Sequence, residues 1–66
     1  MSIAKVIEVI AEGDTLQGAI ENAAKEASKT IKHIRSIYVE GIQALVDNGK
    51  VNRYRVNAKV TFVIED

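Results

Sequence analysis

Residues 34–65 read IRSIYVEGIQALVDNGKVNRYRVNAKVTFVIE and predict a long β-hairpin around which the rest of the chain can be placed. Two runs rich in β-branched residues meet at Asn48-Gly49. Asn-Gly favours a two-residue type I′ turn, because both central positions of that turn need φ > 0. With these two residues as the loop, Asp47 pairs with Lys50, and the numbers of all paired residues sum to 97.

This register assigns each hairpin side chain to one face, since successive strand residues point to opposite sides of a sheet. One predicted face is mostly apolar and contains Ile37, Val39, Leu45, Tyr54, Val56, Ala58, Val60, Phe62 and Ile64. The other predicted face is mixed and contains Ser36, Tyr38, Glu40, Ile42, Ala44, Arg53, Arg55, Asn57, Lys59 and Thr61. We interpret the first face as the core and the second as the surface on which function depends.

The N-terminal half predicts one strand and one helix. Residues 2–12 are rich in β-branched residues and favour a strand, neither face of which is cleanly polar. After Gly13, Asp14 is predicted as the helix N-cap, with Gln17 completing a capping-box pattern. The helix is predicted over 15–32, where one apolar stripe is formed by Leu16, Ile20, Ala23, Ala27, Ile31 and Ile34.

The predicted order of elements is β-α-β-β in a single domain, residues 1–66. The hairpin makes strands two and three antiparallel, and a helical crossover favours strands one and two being parallel and non-adjacent. The fold class is therefore α+β, with a three-stranded antiparallel sheet in the order 1-3-2 wrapped around one helix. The helix covers one side of this sheet only, so the other side is expected to bind further copies of the chain.

Length and composition narrow the classes of function. A chain of 66 residues without Cys is marginally stable alone and has no disulfides, so oligomerisation is the expected stabiliser. Nine basic residues balance nine acidic ones and aromatics are 5%, which argues against a nucleic-acid partner. The sequence has no signal peptide pattern and no apolar run of the roughly 18 residues that span a membrane, so we expect a cytoplasmic protein without a membrane partner.

Candidate catalytic and metal-binding residues are few. His33 is the only His and is predicted at the junction between the helix and the second strand. A His near the end of a helix is more often a dipole-stabilising surface residue than a catalyst. No Ser has a base evident in the sequence, so no enzymatic activity is predicted. Asp47-Asn48-Gly49 lacks the further ligands of an EF-hand loop and is interpreted as the hairpin turn. The possibility that carboxylates of several subunits together bind an ion stays open.

Three cations, Arg53, Arg55 and Lys59, alternate along one strand beside Tyr38 across the hairpin. One interpretation is a site for an anionic or aromatic ligand, which ion pairs and cation–π contacts would hold. The other is a solvated strand face, or a subunit interface, in which these cations pair with Glu40. The residues alone favour the second interpretation.

Over essentially its whole length the chain resembles the dodecins, small β-α-β-β proteins that assemble into hollow homododecamers. The resemblance rests on Lys5-Val6, on Gly13-Asp14-Thr15 before an Ala-rich helix, and on Thr30-Ile31-Lys32-His33-Ile34 before the hairpin. It continues in the hairpin with Val39, Tyr54-Arg55-Val56 and Val60-Thr61-Phe62. It implies a cage of twelve subunits that binds and stores a small ligand or ion.

The resemblance also implies where a ligand site would lie, because many dodecins bind flavin at a subunit interface. In those proteins a strand-two Trp stacks the paired flavin rings, and an acidic residue five positions later and a strand-three Gln hydrogen-bond the ligand. The matching positions are Ser36, Gly41 and Arg55, which all differ from that pattern. Tyr38 lies on the same predicted face as Ser36.

We therefore expect a storage protein of the dodecin kind whose flavin contacts are largely replaced. The alternative is that it binds flavin, as riboflavin or FMN, despite the missing Trp. Some dodecin-like proteins without the Trp are associated with calcium, so calcium is a further expected ligand, with no residue assigned.

Overall fold

The computed structural model describes residues 3–64 and confirms the predicted order of elements. Strand β1 spans Ile3–Gly13, helix α1 spans Leu16–Ser28, strand β2 spans Ile34–Asp47 and strand β3 spans Lys50–Ile64. The strands form one antiparallel sheet in the order β1-β3-β2, with β3 at its centre. Ser2 and Glu65, which the sequence places at the ends of the first strand and the hairpin, lie outside the described residues.

The turn between β2 and β3 has the geometry that the sequence predicts. Asn48 and Gly49 have φ values of 51° and 76°, and Asp47 pairs with Lys50. Asn and Gly are the residues that adopt positive φ with the least steric cost, so the local sequence is sufficient to specify this turn.

The predicted register is confirmed for residues 36–39 and next to the turn, and it is wrong between them. Residues 41–45 pair with 53–57 one position away from the predicted register, because Glu40 on β2 and Asn52 on β3 have no direct partner. Such β-bulges insert one extra residue into a strand. The two bulges lie on opposite strands, so their displacements cancel before the turn. A further one-residue shift lies between Ile34 and Ser36.

The displaced register exchanges the faces of the side chains in this central segment, since a shift of one residue turns each side chain to the other side of the sheet. Ile42 pairs with Val56, so Ile42 and Ala44 lie on the helix side and not on the predicted mixed face. Leu45 pairs with Arg53 and lies on the side away from the helix. These three face assignments were wrong.

The core lies between α1 and the centre of the sheet. Its buried side chains are all small or β-branched, namely Ala19, Ala23, Ala27, Val56, Ala58 and Val60. The Ala residues recur every four positions, so they form one stripe and allow the helix backbone to approach β3 closely. Strand β1 completes this layer with Ile7 and Val9, which pair with Val60 and Ala58.

Helix α1 begins one residue later than predicted. Its N-cap is Thr15, whose Oγ1 accepts a hydrogen bond from the Gly18 amide at 2.9 Å. The Asp14 carboxylate, predicted to cap the helix, instead accepts a hydrogen bond from Arg53 Nη1 at 3.0 Å. Asp14, which the local pattern favours as the cap, therefore binds Arg53 on β3 instead.

Helix α1 also ends earlier than predicted, at Ser28. The amides of Thr30 and Ile31 donate to the Ala27 carbonyl at 3.3 and 3.0 Å, which closes the last turn. His33 has a φ of 63°, a left-handed conformation that cannot continue a helix. The prediction that His33 lies at the helix-to-strand junction is confirmed, since it lies in the connection between α1 and β2, where its carbonyl accepts a hydrogen bond from the Val63 amide at 3.1 Å.

Candidate functional site

The side of the sheet that faces away from α1 carries the candidate site and is called the outer face below. The strand register places on it Val6, Glu8, Ile10, Glu12, Ser36, Tyr38, Gly41, Gln43, Leu45, Arg53, Arg55, Asn57, Lys59 and Thr61. Four of these, Ser36, Tyr38, Gly41 and Arg55, are the ligand-site positions that the sequence predicts. The structure thus brings all four to one surface.

The four positions are nevertheless spread along the outer face of one chain. Ser36 pairs with Thr61, and Arg55 lies six residues before Thr61 on β3, so about 20 Å separates the two rows. Tyr38 and Gly41 lie between them, opposite Lys59 and Asn57. A small ligand cannot contact both ends of this line of residues within a single chain.

Arg55, at the centre of the sheet, is held by a carboxylate of β1. Its Nε and Nη2 atoms donate to Glu12 Oε2 at 3.1 and 2.9 Å. Its Nη1 atom also donates to Gln43 Oε1 on β2 at 3.5 Å. Arg55 therefore links all three strands across the outer face.

Two further cations of the outer face, Arg53 and Lys59, are paired in the same way. Arg53 donates from Nη1 to Asp14 Oδ1 at 3.0 Å and from Nε to Glu12 Oε1 at 3.4 Å. Lys59 Nζ lies 3.2 Å from Glu40 Oε2. This arrangement agrees with the second interpretation of the sequence, a strand face of paired charges, with Glu40 as a partner within the same chain.

Glu12 is the residue of the outer face that sequence reasoning missed. Hydrogen bonding from Arg55 holds the pKa of its carboxyl below the usual value, and the positive charges of Arg55 and Arg53 act in the same direction against partial desolvation. No local motif marks Glu12, because its main partner lies 43 residues away along the chain. The pairing of Glu12 with Arg55 between β1 and β3 is the signal that would have found it.

We expect Glu12 to make stability depend on pH in acid. Its pKa is lower in the folded than in the unfolded chain, so its contribution is complete above the usual value of 4.5 and is lost as the pH falls through the folded pKa. Urea denaturation of the wild type and Glu12→Gln from about pH 7 to about pH 3 measures this. The difference between their midpoints should shrink in acid, and a difference that is constant over that range would contradict the prediction.

Two small residues, Ser36 and Gly41, lie near the exposed aromatic side chain of the outer face on the same strand. Tyr38 is 66% exposed, and Ser36 is exposed on the same strand. A Cβ atom added at Gly41 would meet no atom within 4 Å, so the backbone there does not require glycine. The face therefore offers Tyr38 as a flat surface with space beside it, on which a planar ring can stack.

The described part of the chain offers little for metal binding. Within residues 3–64 no three His, Asp or Glu side chains come together as a metal ion requires. Calcium binding stays a prediction, with no residue assigned. An open cavity of about 290 Å³ beside Lys32, His33 and Phe62 includes none of the four predicted ligand-site positions. No helix among these residues is long and apolar enough to cross a membrane.

Comparison with models of known families matches residues 3–65 to the dodecin model. This chain belongs to the dodecin family. The resemblance stated from the sequence is thus confirmed. Comparison with curated protein sequences gave no significant match.

Solved dodecin structures agree with this assignment. A mutant of the Thermus thermophilus dodecin superposes with a TM-score of 0.92 at 27% sequence identity, covering 100% of both chains. The dodecin from Streptomyces coelicolor superposes with a TM-score of 0.90 at 26% identity, covering 98% of this chain and 94% of the other. The dodecin from Streptomyces davaonensis, at 20% identity and a TM-score of 0.91 over 98% and 97% of the chains, shows the likeness of fold alone.

The outer face of this dodecin does not fit flavin in the way that the resemblance implies for flavin-binding members. Ser36 has no ring on which the isoalloxazine could stack, and Gly41 has no side chain to accept a hydrogen bond. The guanidinium of Arg55 is already engaged by Glu12. Tyr38 is the one described aromatic side chain at these positions, two residues along β2 from Ser36.

Proposed function

We propose that this dodecin is a homododecameric protein that binds and stores a small ligand and has no enzymatic turnover. The observation that carries the assembly is the amount of apolar surface that one copy leaves in water. The exposed large apolar side chains are Ile3, Val6, Ile10, Tyr38, Ile42, Val46, Val51 and Ile64. A small monomer rarely exposes so many, and further copies of the chain would cover them.

The shape of the chain supports the same proposal. The described residues measure 52 × 19 × 13 Å, and the far end of the hairpin, with Val46 paired to Val51, has no helix above it. So long a sheet with one short helix cannot enclose its apolar residues alone. A closed assembly, such as the twelve-subunit cage that the resemblance implies, would cover both ends.

The distance between the ligand-site positions supports a site between subunits. In one chain about 20 Å of sheet separates Ser36 from Arg55. A small ligand that contacts both a Ser36 and an Arg55 must therefore bind between two copies of the chain. We therefore place the ligand at a subunit interface on the outer face. The cytoplasmic location and the lack of nucleic-acid and membrane partners stay predictions from the sequence.

Light scattering under non-denaturing conditions tests the assembly. We expect a particle with a mass about twelve times the 7.2 kDa of one chain, because assembly is the available means of covering the apolar surface. The mass should stay constant as the protein is diluted through the micromolar range. A particle with the mass of one or two chains would contradict the proposal.

Flavin is the alternative ligand, and substitution at Ser36 tests whether the chain binds it. We expect the wild type to leave riboflavin fluorescence largely unquenched at micromolar protein, whereas Ser36→Trp should quench it. A new stacking surface is worth about 1–3 kcal/mol per ring by analogy with base stacking, or roughly 5- to 150-fold in affinity. Fluorescence titration measures both proteins.

The control for this prediction is Ser28→Trp, which places the same side chain at an exposed position on α1. It should leave the fluorescence of riboflavin unchanged. Strong quenching by the wild type would instead show that the flavin contacts are not lost, and would favour the alternative. Loss of assembly in Ser36→Trp, seen by light scattering, would show that the position is packed between subunits.

A further inference from the structure

Three cations of the outer face, Arg53, Arg55 and Lys59, are neutralised from within the chain. Arg53 is held by Glu12 and Asp14, Arg55 by Glu12, and Lys59 by Glu40. The acidic partners come from β1, from the loop after it and from β2, on both sides of the central strand. The ion pairs are only partly buried, so a ligand can reach them, but the cations that it meets already have counterions.

Glu12 is the shared partner in this arrangement. One of its carboxylate oxygens accepts from Arg53 and the other accepts from Arg55. A phosphate group recognises arginine through the same guanidinium N–H groups. A phosphorylated ligand must therefore displace Glu12 before it can bind these two arginines, whereas an uncharged ligand leaves the pairs intact.

The distance along β3 allows a ligand to meet both Tyr38 and Arg55, the nearer arginine of this cluster. Tyr38 pairs with Lys59, and Arg55 lies four residues before Lys59, which is about 13 Å along the strand. A phosphate on a flexible chain attached to a ring that stacks on Tyr38 can approach that distance. Lys59, directly beside Tyr38, is held by Glu40 in the same way.

Resting on the proposed function, we propose that Glu12 is a specificity-determining residue of the outer-face ligand site. By occupying Arg53 and Arg55 from within the chain, it makes the site select uncharged planar aromatic ligands over phosphorylated ones. Tyr38 supplies the stacking surface, and Glu40 acts on Lys59 as Glu12 acts on the arginines.

Riboflavin and FMN test this proposal, because they share one ring system and differ by a phosphate. The dissociation constants of both are measured by fluorescence at low ionic strength, by titrating assembled protein to high concentration. We expect the wild type to bind FMN more weakly than riboflavin. In Glu12→Gln the ratio of the FMN to the riboflavin constant should fall roughly fivefold or more, and added salt should reduce this change.

Glu21→Gln is the matched control, since it removes the same charge from an exposed position on α1, and it should leave the ratio unchanged. The same measurements are repeated in a Ser36→Trp background, because the added stacking surface raises the affinity for the ring and keeps weak binding measurable. The proposal is overturned by equal ratios in the wild type and Glu12→Gln, by an equal change in Glu21→Gln, or by binding of neither flavin in either background.

These results separate the inference from the proposed function. A chain that does not assemble, as seen by light scattering, overturns the proposed function and with it the inference. A dodecamer that binds riboflavin but whose ratio does not respond to Glu12→Gln leaves the proposed function in place and overturns the inference alone.

Discussion

Val56→Asp should unfold the chain. Val56 is fully buried on the helix side of the central strand, where it pairs with Ala11 on one side and Ile42 on the other. A carboxylate at this place has no polar partner among small apolar side chains, and burying it costs at least about 4 kcal/mol. The whole stability of a chain of this length is about 3–10 kcal/mol.

Urea denaturation followed by circular dichroism measures this effect, and Arg55→Glu is the neighbouring control. Residue 55 points to the outer face, and its side chain is 40% exposed, so the fold should survive its replacement. Because Arg55→Glu sets a second carboxylate beside Glu12, assembly or ligand binding should weaken more than the fold does. Equal loss of folded protein in both variants would mean that the register of β3 is wrong.

Gly13→Ala should be the second most damaging substitution. A Cβ atom at Gly13 would lie 2.5 Å from the Ala19 amide nitrogen, 2.7 Å from the Gly18 carbonyl carbon and 2.9 Å from Ala19 Cα. These are backbone atoms of the first turn of α1, so the helix itself would have to move. Overpacking of this kind costs about 1–3 kcal/mol, and thermal or urea denaturation measures it.

Gly41→Ala is the matched control for this prediction. Neither Gly13 nor Gly41 has a positive φ, so both substitutions test the space around Cβ rather than backbone strain. At Gly41 no atom lies within 4 Å of the added methyl group, and the variant should be as stable as the wild type. An equal cost at the two positions, or none at Gly13, would contradict the close approach of the helix to β1.

Features that depend on neighbours in the chain were predictable from the sequence. The Asn48-Gly49 turn follows from the backbone preferences of its own two residues. The strands, the helix and their order follow from patterns within each segment, and the handedness of connections then leaves the sheet order 1-3-2 as the favoured one. The family resemblance rests on the same local patterns taken together.

The bulges at Glu40 and Asn52 were not predictable in this way. A bulge costs little locally, and its position depends on which pairing best satisfies both strands at once. One missed residue then reversed the faces of Ile42, Ala44 and Leu45. The helix ends show the same limit, since Asp14 contacts Arg53 39 residues away rather than capping α1.

The candidate site likewise contains residues that were predicted from the sequence and one that required the folded structure. Ser36, Gly41 and Arg55 were found from the family resemblance, and alternation along the strand added Tyr38 on the same surface as Ser36. Gly41 lies on that surface only because the bulge at Glu40 shifts its register. Glu12 was missed, because the bond that defines its role joins β1 to β3 across most of the chain. The sequence was sufficient for the turn, the elements and the family, since these depend on short-range preferences. The bulged register, the helix limits and the pairing of charges on the outer face required the folded chain, because each depends on residues that meet only when the three strands are in contact.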